Sequence, residues 1–299
     1  MMQHSAFKEL CRLTLFFFLL FCTAPLGTFA YYSITTNNIE STTEKNAESP
    51  PNYAPAYLIM DYTNNWLMTD KPVYDPLLVS ERKNQKLPTT LPPLTPYYGQ
   101  KTVYLTFDDG PDPENTPIVL ALLNEYQIHA TFFLVGSQAE KYPDLIKQIF
   151  TAGHAIGNHS YNHNYKDLYR SPQTYLAQLH HTDEIIKQAI GVRPHISRAP
   201  GGSAGTFNKA YWNSLEQEGY CDVGWNISSG DASRGTAPQL VANIAEQIQN
   251  KALWSHATVL MHDGTGHGET VKALRQIIEL FKSQGFEFRV VNFSTPSAW

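Results

Sequence analysis

From Lys101 onward, short apolar runs alternate with longer stretches whose apolar residues recur at helical spacing. The runs typical of strands are Val103–Phe107, Thr131–Val135, His195–Arg198, Val223–Ile227, Thr258–Met261 and Phe286–Asn292. The stretches typical of helices are Pro117–Tyr126, Pro143–Ala152, Thr174–Ile190, Ala237–Asn250 and Glu269–Gln284. Such alternation predicts a parallel sheet with helices packed outside it.

The number of these units favours a barrel over an open sheet. The region after residue 100 lies at the lower end of the size range of an eight-unit barrel, about 200 residues. The sequence therefore predicts an α/β fold over residues 101–299: a distorted (β/α) barrel with fewer than eight regular units. In such a barrel the chemistry collects at the carboxyl ends of the strands.

Residues 31–100 have a different character and predict a stalk or linker. Residues 31–49 are polar and show no periodicity, and the irregular stretch from Pro50 to Pro96 carries nine of the nineteen prolines. Tyr57–Met60 and Trp66–Met68 add enough apolar bulk to dock on a surface. The sequence leaves two interpretations open, a linker draped over the α/β domain and a small wall-binding or partner-binding element.

Residues 1–30 are typical of an export signal or an N-terminal anchor. Lys8 and Arg12 precede the apolar core Leu13–Cys22, and small residues follow near Ala30. This core is short for a membrane span, which needs roughly 20 apolar residues. If the segment stays uncleaved, it would tether the protein to the membrane. We expect a secreted, cell-surface or cell-wall-associated protein.

Cysteine content and net charge narrow the class of protein further. Two of the three cysteines fall in the export segment, so the mature chain keeps only Cys221 and forms no internal disulfide. Export without disulfides indicates a bacterial protein. A formal net charge of −5 gives no electrostatic case for a nucleic-acid partner. No protein partner is predicted.

The candidate chemistry lies after the first strand. Asp108 and Asp109 close the run Val103–Phe107, and His159 and His163 stand four residues apart, which on a helix places them on one face. One carboxylate and two imidazoles make a three-ligand site for a divalent metal, with a position left for water. The other carboxylate is then available as a base. Alone, the two aspartates would suit a turn or a helix cap.

Five motifs occur in order, and they resemble those of the polysaccharide deacetylase family, the NodB-homology or carbohydrate esterase family 4 domain. The motifs are Thr106–Pro111, His159–His163, Arg198–Gly202, Trp225–Asp231 and Leu260–Asp263. The resemblance runs from about Lys101 to about Phe293. It implies a distorted (β/α) barrel that removes acetyl groups from N-acetylated sugars.

The resemblance also implies roles for individual residues. Asp109, His159 and His163 would bind the metal, and this donor set suits Zn²⁺, with Co²⁺ or Mn²⁺ as alternatives. Asp108 would be the general base that takes a proton from water. Arg198 would pair with that base and keep it ionised.

Further residues would complete the reaction. The backbone N–H of Gly201 would donate to the oxyanion, and His262 would protonate the leaving amine as the general acid. Asp231 would keep His262 charged. Trp225 and Leu260 would form the walls of the acetyl pocket, although both residues also suit ordinary core packing.

Two positions depart from the pattern of the family. Gly224 stands before the tryptophan where relatives often have an acidic residue, and Ser197 stands before the arginine where an aromatic residue is common. These changes leave the candidate metal ligands, base and acid in place.

The sequence thus predicts a secreted, metal-dependent deacetylase of N-acetylglucosamine residues in a cell-wall glycan. Peptidoglycan is the favoured substrate. Chitin, poly-N-acetylglucosamine and acetylxylan are alternative substrates, because glycan selection depends on loops. A non-catalytic glycan-binding module is the alternative of another class. A metal-dependent nuclease or phosphatase is disfavoured because the chain lacks a basic lining for phosphate.

Overall fold

The computed structural model describes residues 57–60, 70–93 and 95–298. Its strands, in chain order, are β1 (Leu58–Ile59), β2 (Val73–Asp75), β3 (Thr102–Asp108), β4 (Thr131–Leu134), β5 (Ala155–Asn158), β6 (Arg193–Pro194), β7 (Ile196–Ser197), β8 (Cys221–Asp222), β9 (Ile227–Ser228), β10 (Ala257–His262) and β11 (Glu287–Phe288). The main sheet has the order β8–β7–β5–β4–β3–β10–β9, and β11 pairs with the start of β3. Its ladders are parallel.

Helices cover the outside of this sheet. They are α1 (Val79–Asn84), α2 (Asn115–Glu125), α3 (Gly136–Lys141), α4 (Pro143–Thr151), α5 (Tyr165–Leu168), α6 (Pro172–Ile190), α7 (Lys209–Gln217), α8 (Ala237–Gln247) and α9 (Gly268–Ser283). Short 3-10 turns lie at Asp231–Ser233 and Lys251–Leu253. A proline in the first turn of α4, α6 and α8 suits the helix start, where its missing N–H has no intrahelical partner.

The central strand β3 is buried along its whole length and separates two environments. Val103, Leu105 and Phe107 belong to the main hydrophobic core, which includes apolar residues of the surrounding helices. Because strand side chains alternate, Thr106 and Asp108 point to the other face, which is the barrel interior. The alternation therefore delivers a buried carboxylate to the carboxyl end of the strand.

A smaller sheet lies upstream, with strand order β1–β2–β6. Asp75 at its centre is fully buried, and Arg82 of α1 donates two hydrogen bonds to its carboxylate, at 2.5 and 3.0 Å. Arg193 of β6 donates a third at 3.3 Å, and His195 lies 3.5 Å away. This buried ionic cluster joins residues 73–82 to the barrel.

The predicted fold class is confirmed: the structure has the parallel, helix-covered sheet of a distorted (β/α) barrel. The predicted strand Val223–Ile227 is wrong, because the chain leaves β8 and enters β9 only at Ile227. The carbonyl groups of Val223 and Gly224 accept hydrogen bonds from Arg198 rather than from a neighbouring strand. β5 and α7 were not predicted from the sequence, and β7 and β11 are shorter than predicted.

The predicted export segment 1–30, the polar stalk 31–49 and the apolar stretch Trp66–Met68 lie outside the described residues. Within the part of the chain that the structure covers, no helix is both long and apolar enough to span a membrane. The described residues between 57 and 93 form β1, β2 and α1, and the role of segment 31–100 stays a prediction.

Candidate active site

Five predicted site residues gather at one end of the barrel. Asp108 ends β3, His159 follows β5, Arg198 follows β7, Asp231 follows β9, and His262 ends β10. Because these strands are parallel, their carboxyl ends meet on one side of the sheet. The β3–β10 register pairs Asp108 directly with His262. The fold therefore brings the candidate base and the candidate acid onto adjacent strands.

The three candidate metal ligands converge. Asp109 Oδ1 lies 3.3 Å from His163 Nε2 and 3.5 Å from His159 Nε2. One ligand atom from each of the three residues lies within 4.8 Å of the others. The structure thus brings together the trio that the resemblance implied, and their role as ligands stays a prediction.

The ring of His159 is fixed by the backbone. Its Nδ1 lies 2.8 Å from the carbonyl oxygen of Arg198, which can only accept, so Nδ1 carries the proton and Nε2 presents its lone pair. Burial lowers the pKa of His159 to about 3, which keeps the imidazole neutral. A neutral, oriented imidazole is the form that coordinates metals.

The donor set fits a divalent cation. Asp109 Oδ1 is buried, yet no hydrogen-bond donor among the described residues reaches it. It faces the lone pair of His159 Nε2, so two electron-pair donors point at each other with no proton between them. A buried acceptor without a partner is costly, and a cation bound by these atoms and His163 would satisfy it.

The prediction that His159 and His163 share a helical face is wrong. Both lie on the loop between β5 and α5, and Ser160 and His163 adopt left-handed backbone angles, φ 65° and 53°. Asp109 is also left-handed at φ 72°. Non-glycine residues rarely adopt this conformation, and such strain is often found at functional sites. The loop, rather than a helical turn, brings the two imidazoles together.

Arg198 is fully buried and organises the candidate base. Its Nη1 donates to Asp108 Oδ1 at 2.8 Å and to Thr106 Oγ1 at 2.6 Å. Burial raises the pKa of Asp108, and the guanidinium opposes this effect, leaving the pKa above its usual value. A carboxylate with a raised pKa is a stronger proton acceptor, which suits a general base.

Asp231 and His262 form the second ionisable pair. His262 Nδ1 lies 2.9 Å from Asp231 Oδ1, and the backbone N–H of His262 donates to Asp231 Oδ2 at 2.7 Å. Burial lowers the pKa of His262, but the hydrogen bond to Asp231 and the nearby carboxylates outweigh burial and raise it to about 9. The imidazole is therefore charged at neutral pH and can give up a proton.

The Gly201–Gly202 loop lies between two aromatic rings. Both glycines have positive φ, 73° and 88°. A Cβ on Gly201 would lie 3.1 Å from Tyr165 Oη, and one on Gly202 would lie 2.9 Å from the ring of Trp225. Only glycine fits this path without strain. The Gly201 N–H has no acceptor among the described residues, as a donor to an oxyanion requires.

Leu260 lies on β10 two residues before His262, so it points to the same face of the sheet. It is 8% exposed, and its register partner is Thr106 of β3. This placement suits a pocket wall beside the acid. Asp263, the next residue after His262, points elsewhere and accepts a hydrogen bond from Thr116 at 2.5 Å.

Two residues beside the site, His267 and Tyr165, were not predicted from the sequence. The ring of His267 stacks on His262 with centroids 4.8 Å apart and planes at 21°. Tyr165 contacts His163 with centroids 5.3 Å apart. In the sequence, only its position five residues after His262 could have indicated that His267 lies near the site. Asp231, His262 and His267 also cluster at ligand distance, but the Asp231 oxygens already accept hydrogen bonds from His262 and Thr270.

Comparison with known proteins identifies the family. A family model described as polysaccharide deacetylase matches residues 96–223. A peptidoglycan-N-acetylglucosamine deacetylase of Bacillus cereus is 32% identical over 213 residues, which cover 71% of this chain and 77% of that protein. The chain belongs to the polysaccharide deacetylase family. It is therefore a deacetylase of the hydrolase class, and the resemblance drawn from its motifs is confirmed.

Two further relatives of this polysaccharide deacetylase are informative. A chitooligosaccharide deacetylase of a Bradyrhizobium strain is 31% identical over 208 residues, covering 63% of this chain and 88% of that protein. The solved structure of a Streptococcus mutans CE4 esterase has a TM-score of 0.62 and 32% sequence identity, covering 65% of this chain and 87% of that chain. The relatives thus act on more than one N-acetylated glycan.

Proposed function

We propose that this deacetylase removes N-acetyl groups from N-acetylglucosamine residues of peptidoglycan, in a reaction that depends on a divalent metal. The observation that carries the proposal is the convergence of Asp109, His159 and His163 beside a buried base and a charged acid, Asp108 and His262. Peptidoglycan is favoured because a relative of that named specificity is 32% identical and matches over 77% of its length.

Asp109, His159 and His163 would hold the cation, and two imidazoles with one carboxylate favour Zn²⁺ over Co²⁺ or Mn²⁺. When bound, the cation supplies Lewis-acid activation at this position. The protein supplies the proton transfers. Asp108 removes a proton from the attacking water, and Arg198 holds its carboxylate in place through the 2.8 Å hydrogen bond.

The remaining residues act on the amide. The Gly201 N–H donates to the oxyanion of the tetrahedral intermediate, which stabilises charge that develops in the transition state. His262 protonates the amine as the C–N bond breaks, because an unprotonated amine is a poor leaving group. Asp231 keeps the His262 ring oriented and charged. Trp225 and Leu260 enclose the acetyl methyl group.

We also infer that the enzyme works outside the cytoplasm, because its proposed substrate lies there and its first thirty residues are typical of an export segment. Fractionation of a bacterial culture expressing the full chain tests this inference. Recovery of the protein in the cytoplasmic fraction alone would contradict it.

Acetate release from purified peptidoglycan, chitin oligomers, poly-N-acetylglucosamine and acetylxylan tests the substrate. We expect the highest kcat/KM on peptidoglycan, loss of activity after chelation and recovery on adding Zn²⁺. Turnover confined to chitin oligomers would make chitin the substrate in place of peptidoglycan and would leave the proposed reaction unchanged. Turnover of acetylxylan alone, or full activity in the metal-free protein, would refute the proposal.

A further inference from the structure

The candidate oxyanion donor lies at the centre of a tight turn. The Gly202 N–H donates a hydrogen bond to the carbonyl oxygen of Ala199 at 2.8 Å, which closes a four-residue turn. Pro200 is its second residue, and Gly201, its third, has a φ of 73°. A proline followed by a residue of positive φ is typical of a type II turn. The central peptide of this turn therefore joins the Pro200 carbonyl group to the Gly201 N–H.

The hydrogen bond that closes the turn does not by itself fix the direction of this central peptide. Type I and type II turns share the closing bond and differ by a flip of the central peptide, which reverses its C=O and N–H. Glycine adopts the φ values of both forms. The Gly201 N–H would point in opposite directions in the two forms. A further contact is needed to select one of them.

Tyr169 provides this contact. Its hydroxyl donates a hydrogen bond to the carbonyl oxygen of Pro200 at 2.6 Å. Because a trans peptide is planar, its C=O and N–H point in opposite directions. Fixing the Pro200 carbonyl therefore also fixes the Gly201 N–H, which points away from the Tyr169 hydroxyl. A flipped peptide would lose the hydrogen bond from Tyr169.

The Tyr169 hydroxyl is itself held in place. The ring stacks on Tyr175 with centroids 5.9 Å apart and planes at 14°, and it contacts Phe207 edge-on at 6.2 Å. Burial and the nearby carboxylate of Asp222 raise the pKa of the Tyr169 hydroxyl well above its usual value, so it remains a donor. Asp222 also accepts a hydrogen bond from the Ala199 N–H at 3.0 Å, at the start of the turn. Both the donor and the turn are thus fixed to the surrounding structure.

We propose that Tyr169 is a positioning residue of the reaction, which holds the Pro200–Gly201 peptide in the orientation that directs the Gly201 N–H to the oxyanion. This proposal rests on the proposed function. Hydrogen bonds in series polarise one another, so the bond from Tyr169 also makes the N–H of the same amide a stronger donor. Charge develops on the substrate oxygen only towards the transition state, so the effect stabilises that state more than bound substrate.

Steady-state kinetics of Tyr169→Phe test the proposal with the zinc-loaded enzyme and the glycan that gives the highest acetate release. This substitution removes the hydroxyl and retains the ring. We expect kcat to fall about 3- to 30-fold, between the effect of one hydrogen bond and the roughly 10²- to 10³-fold loss on removing an oxyanion donor. KM should stay at the wild-type value, because bound substrate carries little charge on the carbonyl oxygen. An unchanged kcat would overturn the proposal.

Tyr175→Phe is the matched control, because it makes the same chemical change in the ring that stacks on Tyr169. The Tyr175 hydroxyl is buried, and among the described residues it makes no hydrogen bond to the turn. We expect wild-type kcat and KM for this variant. An equal loss of kcat in the two variants would overturn the proposal, because it would indicate that the hydroxyls act through packing.

NMR separates this proposal from the proposed function. Pro200–Gly201 is the only Pro-Gly pair in the sequence, so ¹³C in proline carbonyl groups and ¹⁵N in glycine select the signal of this one peptide. Loss of a hydrogen bond to the carbonyl should move both shifts in Tyr169→Phe and leave them near wild type in Tyr175→Phe, whether or not turnover is detected. Unmoved shifts in Tyr169→Phe would count against the positioning role alone. Shifts that move as expected in a protein that releases no acetate would count against the proposed function alone.

Discussion

The carboxylate of Asp231 contacts His262 at two points, the ring through Oδ1 at 2.9 Å and the backbone N–H through Oδ2 at 2.7 Å. Thr270 donates a further hydrogen bond to Oδ2 at 2.7 Å. These contacts fix both the position of the strand end and the plane of the imidazole. They also place the Nδ1 proton against a carboxylate, which leaves Nε2 to exchange a proton with substrate.

Removing the charge of Asp231 tests its effect on this acid. Asp231→Asn should lower the pKa of His262 from its raised value toward about 6.5. Because the acid acts only while protonated, activity is lost as the pH rises through that pKa, so the alkaline limb of the kcat profile should move to lower pH. His262→Ala should lose about 10²- to 10⁴-fold in kcat at all pH values. An alkaline limb unmoved in Asp231→Asn would contradict the assignment.

Replacing the candidate base, Asp108, should separate the chemical step from metal binding. Asp108→Asn should abolish turnover and retain zinc, whereas His159→Ala should lose both. Kinetics and metal analysis of the purified variants measure the two effects. Because Asp108→Asn leaves the buried Arg198 charge without this carboxylate, we also expect unfolding to become easier by about 3 kcal/mol. Near-normal turnover in Asp108→Asn would exclude the base role.

The glycine loop offers a test with an internal control. Gly202→Ala should lower kcat and destabilise the fold by about 1–3 kcal/mol, because the new Cβ meets Trp225 at 2.9 Å. Gly205→Ala shares the positive backbone angle, φ 75°, but its Cβ meets no atom within 4 Å. Thermal unfolding and kcat of the two variants separate ring contact from backbone strain. Equal kcat losses in both would argue against a role for the ring contact.

The buried cluster around Asp75 predicts a pH dependence of stability. Burial alone would raise the pKa of Asp75, but hydrogen bonds from His195 and Arg82 outweigh it and hold the pKa well below its usual range. A carboxylate of this kind stabilises the fold above its unfolded pKa, about 3.9. That stabilisation is lost as the pH falls toward the folded pKa.

Asp75→Asn should therefore lower the free energy of unfolding at pH 7 by about 3–5 kcal/mol. The difference from wild type should shrink below about pH 4. Urea unfolding at several pH values measures it. Asp144→Asn is the control, because this carboxylate is 84% exposed and, among the described residues, pairs only with Lys147, so we expect a change of less than about 0.5 kcal/mol. A pH-independent difference for Asp75→Asn would contradict the linkage.

Sequence patterns predicted the parts of the site that lie on regular structure. An apolar run ending in two aspartates placed Asp108 at a strand end, whereas Leu260 and His262 came from the resemblance to the family's motifs. The His159–His163 pair was found for a reason that the structure does not support. Its four-residue spacing suggested a helix, but the two rings meet because Ser160 and His163 adopt left-handed angles.

Residues that meet only because of the course of a loop leave no local pattern in the sequence. Tyr165, the first residue of α5, lies next to Gly201 in the loop after β7, and periodicity does not encode that contact. The strand Ala155–Asn158 is four residues long and contains a glycine, so neither length nor β propensity identified it. Distant pairs such as Asp75 and Arg193 are separated by more than a hundred positions and become visible only in the folded chain.

The buried ionic cluster around Asp75 determines how far the protein can be shortened from its N-terminus. The family match begins at residue 96, yet the guanidinium of Arg193 pairs with two buried carboxylates, those of Asp183 and Asp75, and Asp75 lies before that boundary. Asp183 in turn accepts from Asn158, the residue next to His159. Trimming at residue 96 would remove Asp75, which three side-chain contacts and one peptide bond connect to the candidate metal ligand His159, so we expect the working enzyme to need residues upstream of the matched region.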